Sequence, residues 1–294
     1  MEAEHPVQQA FGSPGGKSYL ARRIAGMIPP HKVYVEPYAG GAAVYFKKQP
    51  SEKEILGDKD SEIAFAFRFL RDMTEEQFKG LKKFNWKVSR TTFKKVKGMK
   101  PKDDVERFRQ FYYLKRASFG SASKKISQLL GTGFIINIDR LWKVHERLKR
   151  TAVCGGDAMM AIRKYDKPAT FFYLDPPYPD RSFAGIENKY TTEDLNELVQ
   201  SLKGIKGKFA LSLASENTIP LPKNWHIKRV KVRRLGWHGG NFNQSYQYEI
   251  IATNYKPVAG KVKLQGQMHA KRAKRRSNGH GRHAVSRGIS LLKN

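Results

Sequence analysis

The chain has 294 residues, enough for one large domain and a smaller attachment, and its 56 Lys and Arg against 26 Asp and Glu leave a formal charge of +30. That length excludes a peptide hormone or a knottin, and that charge asks for a polyanionic partner, with nucleic acid the leading class. A single cysteine, Cys154, excludes a disulfide framework, no Cys/His group has structural-zinc spacing, and no run of 18 apolar residues occurs, so a soluble, cytoplasmic protein with no membrane partner is expected.

In chain order, SPGGK (13–17) puts two glycines and a lysine ahead of a predicted helix. The run KVYVEPY (32–38) is β-branched and aromatic and breaks at Gly40 and Gly41 before the apolar stretch AAVYF, which predicts strand, glycine turn, helix. A second short strand, EILGD (54–58), precedes Ile63, Phe67 and Leu70 at helical spacing. Two such units in series predict a parallel sheet. Residues 79–150 then carry 21 Lys and Arg against 5 acids, with Val105, Phe108, Phe111 and Tyr112, and later Leu141, Val144 and Leu148, at helix spacing. This segment reads as a small, mainly helical insertion with Trp86, Phe111, Tyr112, Tyr113 and Phe119 as its apolar anchors. The strand pattern resumes with AVCGGD (152–157), FFYLDPPY (171–178), FALSLAS (209–215) and a last strand YEIIATNY (248–255), with a helix opened by a Thr191 and Asp194 capping pair. Residues 256–294 hold 11 Lys and Arg and no acid, including KRAKRR (271–276), and read as a disordered basic tail, either a solvated terminus or a phosphate-binding arm. Removing the two basic stretches leaves residues 1–78 and 151–255 close to neutral, an ordinary enzyme body with basic attachments.

The chemistry concentrates in Asp175, Pro176, Pro177 and Tyr178, directly after the apolar strand FFYL. Ligands of open α/β sheets sit outside the carboxyl ends of strands, so this tetrapeptide is delivered to the ligand edge; a plain strand-ending turn is the structural alternative. The glycine turn after the first strand lets a ligand approach the backbone. Asp58 closes the second strand about 20 residues later, where a carboxylate can take ribose hydroxyls or can cap the helix that follows. Asp157 ends its own strand with the same two options, and Lys17 is either a site residue or surface charge.

Taken together, SPGGK, EPYAGG, GDKD, a basic insert, DPPY and a terminal strand ending in Asn254 and Tyr255 occur in the order that resembles the Dam-like (D12 class) DNA adenine-N6 methyltransferases over roughly residues 11–255. The resemblance implies a Rossmann-like α/β domain that uses S-adenosylmethionine, with residues 79–150 as a target-recognition subdomain. By position it places cofactor binding on Ser13, Gly15, Gly16, Lys17, Glu36, Pro37, Gly40, Gly41, Asp58, Asp157 and Asp175, and handling of the target base on Asp175 to Tyr178. Where such proteins often have Phe-x-Gly-x-Gly, this chain reads Tyr38-Ala39-Gly40-Gly41-Ala42. Arg116, Lys124 and Lys125, around SFGSAS, are the candidate DNA contacts, and double-stranded DNA is the implied partner, with no obligate protein partner and no metal.

An exocyclic amine is a poor nucleophile because its lone pair is delocalised into the ring. A carboxylate at Asp175 and the Pro176 carbonyl, each accepting one N6 hydrogen, would localise that pair, while Tyr178 offers a stacking face to a base removed from the duplex. Cytosine N4, RNA adenine or a protein amide are chemically acceptable alternatives, as is a nucleic-acid-binding protein on an inactive methyltransferase fold. Restriction protection, regulation and viral DNA modification remain equally open as biological purposes.

Overall fold

The computed structural model describes residues 7–118, 121–127, 134–179, 189–217, 219–238 and 241–257, of which 233–238, 241–245 and 247 are described by their backbone. All fall within the compact unit Met1–Ala259. The expected basic tail therefore lies outside the described residues, as does Phe119.

The elements in order are α1 (Ala21–Ala25), β1 (Val33–Glu36), β2 (Lys53–Asp58), α2 (Ser61–Asp72), α3 (Glu75–Lys82), α4 (Arg90–Lys97), α5 (Asp104–Ala117), α6 (Arg140–Leu148), β3 (Thr151–Gly155), α7 (Ala158–Tyr165), β4 (Thr170–Leu174), α8 (Thr192–Leu202), β5 (Lys208–Ala214), β6 (His226–His238) and β7 (Asn241–Thr253). The strands form one sheet in the order β3-β2-β1-β4-β5-β7-β6. β1 to β5 are mutually parallel, and β7 enters antiparallel between β5 and β6. This is the open α/β arrangement expected, with the strand order reversing between β1 and β4, where such sheets open a crevice for ligands.

The sheet is buried on both faces, as a parallel sheet requires. Alternation along β4 sends Phe171 and Tyr173 into one core with Tyr34, Leu56, Phe11 and the α2, α5 and α6 side chains. Phe172 and Leu174 enter the other core with Leu195, Leu198, Val199 and Leu202 of α8. The capping pair is present, Thr191 accepting from Asp194 N and Asp194 accepting from Thr191 N.

The stretch between α2 and β3 is helical, and it shares a core with the sheet. Phe108 of α5 stacks on Phe69 of α2 at 4.5 Å, and Phe111 meets Phe11 edge-on at 4.9 Å. Trp86, Tyr112 and Tyr113 are buried in the same cluster. At the end of α6, Arg147 pairs with both oxygens of Glu54 on β2, and Lys48 pairs with the same carboxylate.

Two local expectations change. AAVYF (42–46) forms successive turns in place of a helix. Ala42 takes a positive φ of 52°, and Tyr45 N donates 3.1 Å to the Glu36 carboxylate, so that amide is diverted from a helical carbonyl. The last strand begins at Asn241 and pairs along its whole length with β6, a strand absent from the sequence reading.

Candidate active site

A cavity of about 870 Å³ opens at the carboxyl end of the parallel strands. Its wall includes every residue expected at the cofactor and base sites: Ser13, Gly15, Gly16, Lys17, Glu36, Pro37, Gly40, Gly41, Asp58, Asp157, Asp175, Pro176, Pro177 and Tyr178. Five separate segments of chain thus converge on one space because β1, β2, β3 and β4 are parallel and end on the same edge.

On one side lies the glycine turn. Gly40 N donates 2.8 Å to Asp58 Oδ2, and Asp60 N donates 2.9 Å to Oδ1, so the carboxylate at the end of β2 clamps the loop after β1. The helix cap falls to Asp60, which accepts from Glu62 N, leaving Asp58 to face the cavity. Burial raises the Asp58 pKa, with the two amide donors opposing. Gly40 has φ +49°, and a Cβ there would stand 2.6 Å from Ser13 Oγ; one on Gly41 would stand 2.6 Å from the Phe11 carbonyl. Ser13 Oγ in turn accepts from Gly41 N at 3.3 Å, which ties the SPGGK segment to the turn. Asp157 does both things open to it, capping α7 through Met159 N at 2.7 Å while lining the cavity.

Glu36 is 2 % exposed. It accepts 2.7 Å from Tyr34 OH and 3.1 Å from Tyr45 N, and burial pushes its pKa up to about 8.

At the opposite wall, Lys17 Nζ stands 2.6 Å from Asp175 Oδ1 and donates also to Gly15 O at 3.2 Å. Lys17 is 4 % exposed and lines the cavity, so it is not surface charge. Burial raises the pKa of Asp175, and the Lys17 ammonium beside it opposes the rise. The same ammonium lies 4.7 Å above the Tyr178 ring and 4.0 Å from Glu249 Oε2. Glu249 on β7 accepts from Tyr178 OH and, at 3.2 Å, from Tyr19 OH.

Glu249 escaped the sequence reading, although a lone carboxylate inside the apolar run YEIIAT is the kind of signal that marks an internal partner. Tyr38 and Tyr190, also in the cavity wall, were missed too; their rings meet edge-on at 6.5 Å. Arg116, Lys124 and Lys125 are not among the cavity residues. Arg116 is half-buried near the end of α5, and the two lysines are exposed on the segment after it.

Residues 13–234 match the family model described as D12 class N6 adenine-specific DNA methyltransferase. Among curated relatives, the chain is 24 % identical over 283 residues to the Type II methyltransferase M.MjaIII of Methanocaldococcus jannaschii, covering 82 % of this chain and 96 % of that one. It is 23 % identical over 267 residues to the Type II methyltransferase M1.LlaDCHI of Lactococcus lactis subsp. cremoris, covering 82 % and 93 %. Among solved structures, an rRNA methylase from Streptococcus thermophilus aligns over 81 % of this chain and 96 % of its own, at 10 % identity and a TM-score of 0.33. With the motif order, the convergence on one cavity and a family match spanning most of the sequence all in agreement, the chain belongs to the D12 class N6 adenine-specific DNA methyltransferases.

Proposed function

We propose that this chain transfers a methyl group from S-adenosylmethionine to adenine N6 within double-stranded DNA, acting on a base turned out of the helix. The observation that carries the reading is the placement of Asp175 to Tyr178 across one cavity from the glycine turn and Asp58.

The residues present fit the donor. The cavity volume lies inside the range of about 300–1,000 Å³ typical of small-ligand sites. A carboxylate at the end of β2 suits vicinal ribose hydroxyls, the side-chain-free turn suits close backbone approach, and Glu36 and Asp175 suit a cationic head. When bound, S-adenosylmethionine supplies an electrophilic methyl on a sulfonium. Ser13, Gly15, Gly16, Lys17, Glu36, Pro37, Gly40, Gly41, Asp58 and Asp157 would hold it.

Asp175 and the Pro176 carbonyl would each accept one hydrogen of the N6 amine and aim its lone pair across the cavity. Lys17 favours the ionised, accepting form of Asp175 against the cost of burial. Pro177, without an N–H, stiffens the turn, and the Tyr178 ring is a stacking face. The amine becomes acidic as the new bond forms, so its proton can leave to water without a dedicated strong base. In the same proposal, the basic stretch 79–150, with Arg116, Lys124 and Lys125, meets DNA, the tail from 256 adds phosphate contacts, and the protein works in the cytoplasm as part of a restriction-modification system.

Incubation with methyl-labelled donor and separate duplex DNA, RNA and protein tests the reading, with label expected in adenine of DNA. Asp175→Ala is expected to lower turnover by at least about a hundredfold, as loss of one oriented polar contact does. Label in RNA or protein alone, or turnover by the variant near that of the parent, refutes it.

A further inference from the structure

The β6–β7 hairpin is much longer than the sheet it joins. β6 and β7 pair continuously from His226↔Thr253 to His238↔Asn241, thirteen residues on each strand. β5 pairs only with Glu249–Thr253, its last residue Ala214 lying opposite Glu249. Residues 231–238 and 241–248 therefore continue past the end of β5 as a two-stranded ribbon of eight residues a side, about 26 Å at 3.3 Å per residue, with Val232 at its root still buried in the core.

The direction of this overhang follows from strand polarity. β5 runs parallel to β4, so its end at Ala214 is the carboxyl edge of the sheet, the edge where Asp175 to Tyr178 follow β4. The ribbon leaves the sheet at that edge. Its root is joined to the catalytic segment directly, because Glu249, the last residue of β7 paired to β5, accepts the Tyr178 hydroxyl.

The ribbon's sequence, KVRRLGWH and NFNQSYQY, contains three basic residues, four amides and no acid. At its base Tyr246 and Tyr248 are 53 % and 45 % exposed, with Lys231 Nζ 4.3 Å from the Tyr246 ring and Arg229 5.5 Å from that of Tyr248. A sheet that only needed closing on this side would end β6 and β7 near β5, since a ribbon running past it adds unpaired edge.

We propose that this ribbon enters a groove of duplex DNA beside the target base and helps to read its sequence. A two-stranded ribbon fits the major groove, about 12 Å wide, and Arg and Asn or Gln are the side chains that pair bidentately with guanine and adenine edges there. A positively charged, acid-free arm planted beside Tyr178 meets that chemistry where the extruded base leaves its duplex. The inference rests on DNA being the substrate, and it adds a second reading element to the basic stretch 79–150.

The test uses the full chain and plasmid DNA. Arg233→Gln, Arg234→Gln and Asn243→Ala would be compared with the parent by sequencing the methylated adenines, by kcat/KM on DNA, by S-adenosylhomocysteine affinity and by thermal unfolding. At least one variant is expected to broaden the methylated sequence, or to lose about 5- to 150-fold in kcat/KM on the parent's own motif while sites one base pair away lose far less, with cofactor affinity and melting unchanged. An unchanged motif with kcat/KM within twofold for all three variants overturns the inference, and so does a uniform loss across all sequences with the motif intact, which would make the ribbon a phosphate clamp. If a variant melts early, the matching Arg233→Lys or Arg234→Lys form, which keeps charge but not the bidentate fork, decides by the same criteria. Should the parent methylate no adenine in any duplex, the underlying reading fails instead, a result separable from both.

Discussion

Glu36→Gln isolates the most strongly perturbed carboxyl in the cavity whose titration falls in an accessible range. In the folded chain burial raises Glu36 to about 8 from the ordinary 4.5, so between those values the native state holds a proton that the unfolded chain has released. The sign follows: stability contributed by the protonated form is complete below about 4.5 and is lost as pH rises through about 8. At about 1.4 kcal/mol per pH unit, the full span corresponds to a loss on the order of 5 kcal/mol, of which about 4 kcal/mol has gone by pH 8. Gln keeps an oxygen for Tyr34 OH and Tyr45 N without a titrating proton. Parent and variant should therefore unfold at similar urea concentrations near pH 4.5 and diverge above it. The variant's midpoint should stand about 1.5 M higher near pH 8 for an unfolding slope of about 2–3 kcal/mol/M. Asp58 and Asp175 are raised too, but they are common to both proteins and cancel in the difference. Parallel stability curves across pH 4.5–8 would refute the argument. The functional counterpart is that a cation bound beside Glu36 favours its ionised form. The preference for S-adenosylmethionine over neutral-sulfur S-adenosylhomocysteine should thus grow with pH in the parent and stay flat in the variant.

Lys17→Met removes the ammonium at 2.6 Å from Asp175 and 4.0 Å from Glu249, which should cost about 3–5 kcal/mol in urea unfolding and move the acidic limb of the pH–rate profile to higher pH, since Asp175 then ionises later. Gly40→Ala combines a φ of +49° with a Cβ 2.6 Å from Ser13 Oγ, so a loss of about 1–2 kcal/mol in stability and a marked drop in S-adenosylhomocysteine affinity by calorimetry are expected. Arg147→Met takes the guanidinium from the buried Glu54 carboxylate and should lower stability by about 3 kcal/mol, leaving turnover at low temperature near that of the parent because Glu54 stands near the amino end of β2, away from the carboxyl edge where the cavity opens, and neither partner lines the cavity.

The catalytic side of the fold was legible because each of its signals is local. FFYL is a continuous apolar run, the mark of a strand buried on both faces, and DPPY can only follow it at an end. Asp58 and the glycine turn announce themselves by spacing. What stayed hidden depends on partners distant in sequence. AAVYF has helical composition, yet the carboxylate of Glu36 takes the Tyr45 amide and holds the segment in turns. β6 went unread because HIKRVKVRRLGWH is dense in Lys and Arg, and its strand character comes from pairing along its length with β7, with Val230 and Val232 alone reaching the core among its described side chains. Glu249 matters only once the antiparallel strand places it under Tyr178. The apolar contact that joins residues 79–150 to the sheet core, Phe108 on Phe69, leaves no mark in the charge pattern.

The charge itself operates on two scales. The formal charge of the chain is +30, yet the cavity wall carries Glu36, Asp58, Asp157, Asp175, Asp194 and Glu197 against Lys17, Lys59, Arg163 and Lys189, with Lys17 drawn into a pair. These do not conflict, because at physiological salt the field of an exposed charge decays over about 8 Å, while groups shielded from solvent act on one another at contact distance. A surface can therefore gather DNA while the space beneath it stays suited to a cation. The Lys17–Asp175 pair sits at the boundary between the two, oriented by Gly15 on one side and Glu249 on the other. Under the proposed function, a positive donor and a negative polymer meet at the same atom, and this separation by depth would let both bind without competing for the same charges.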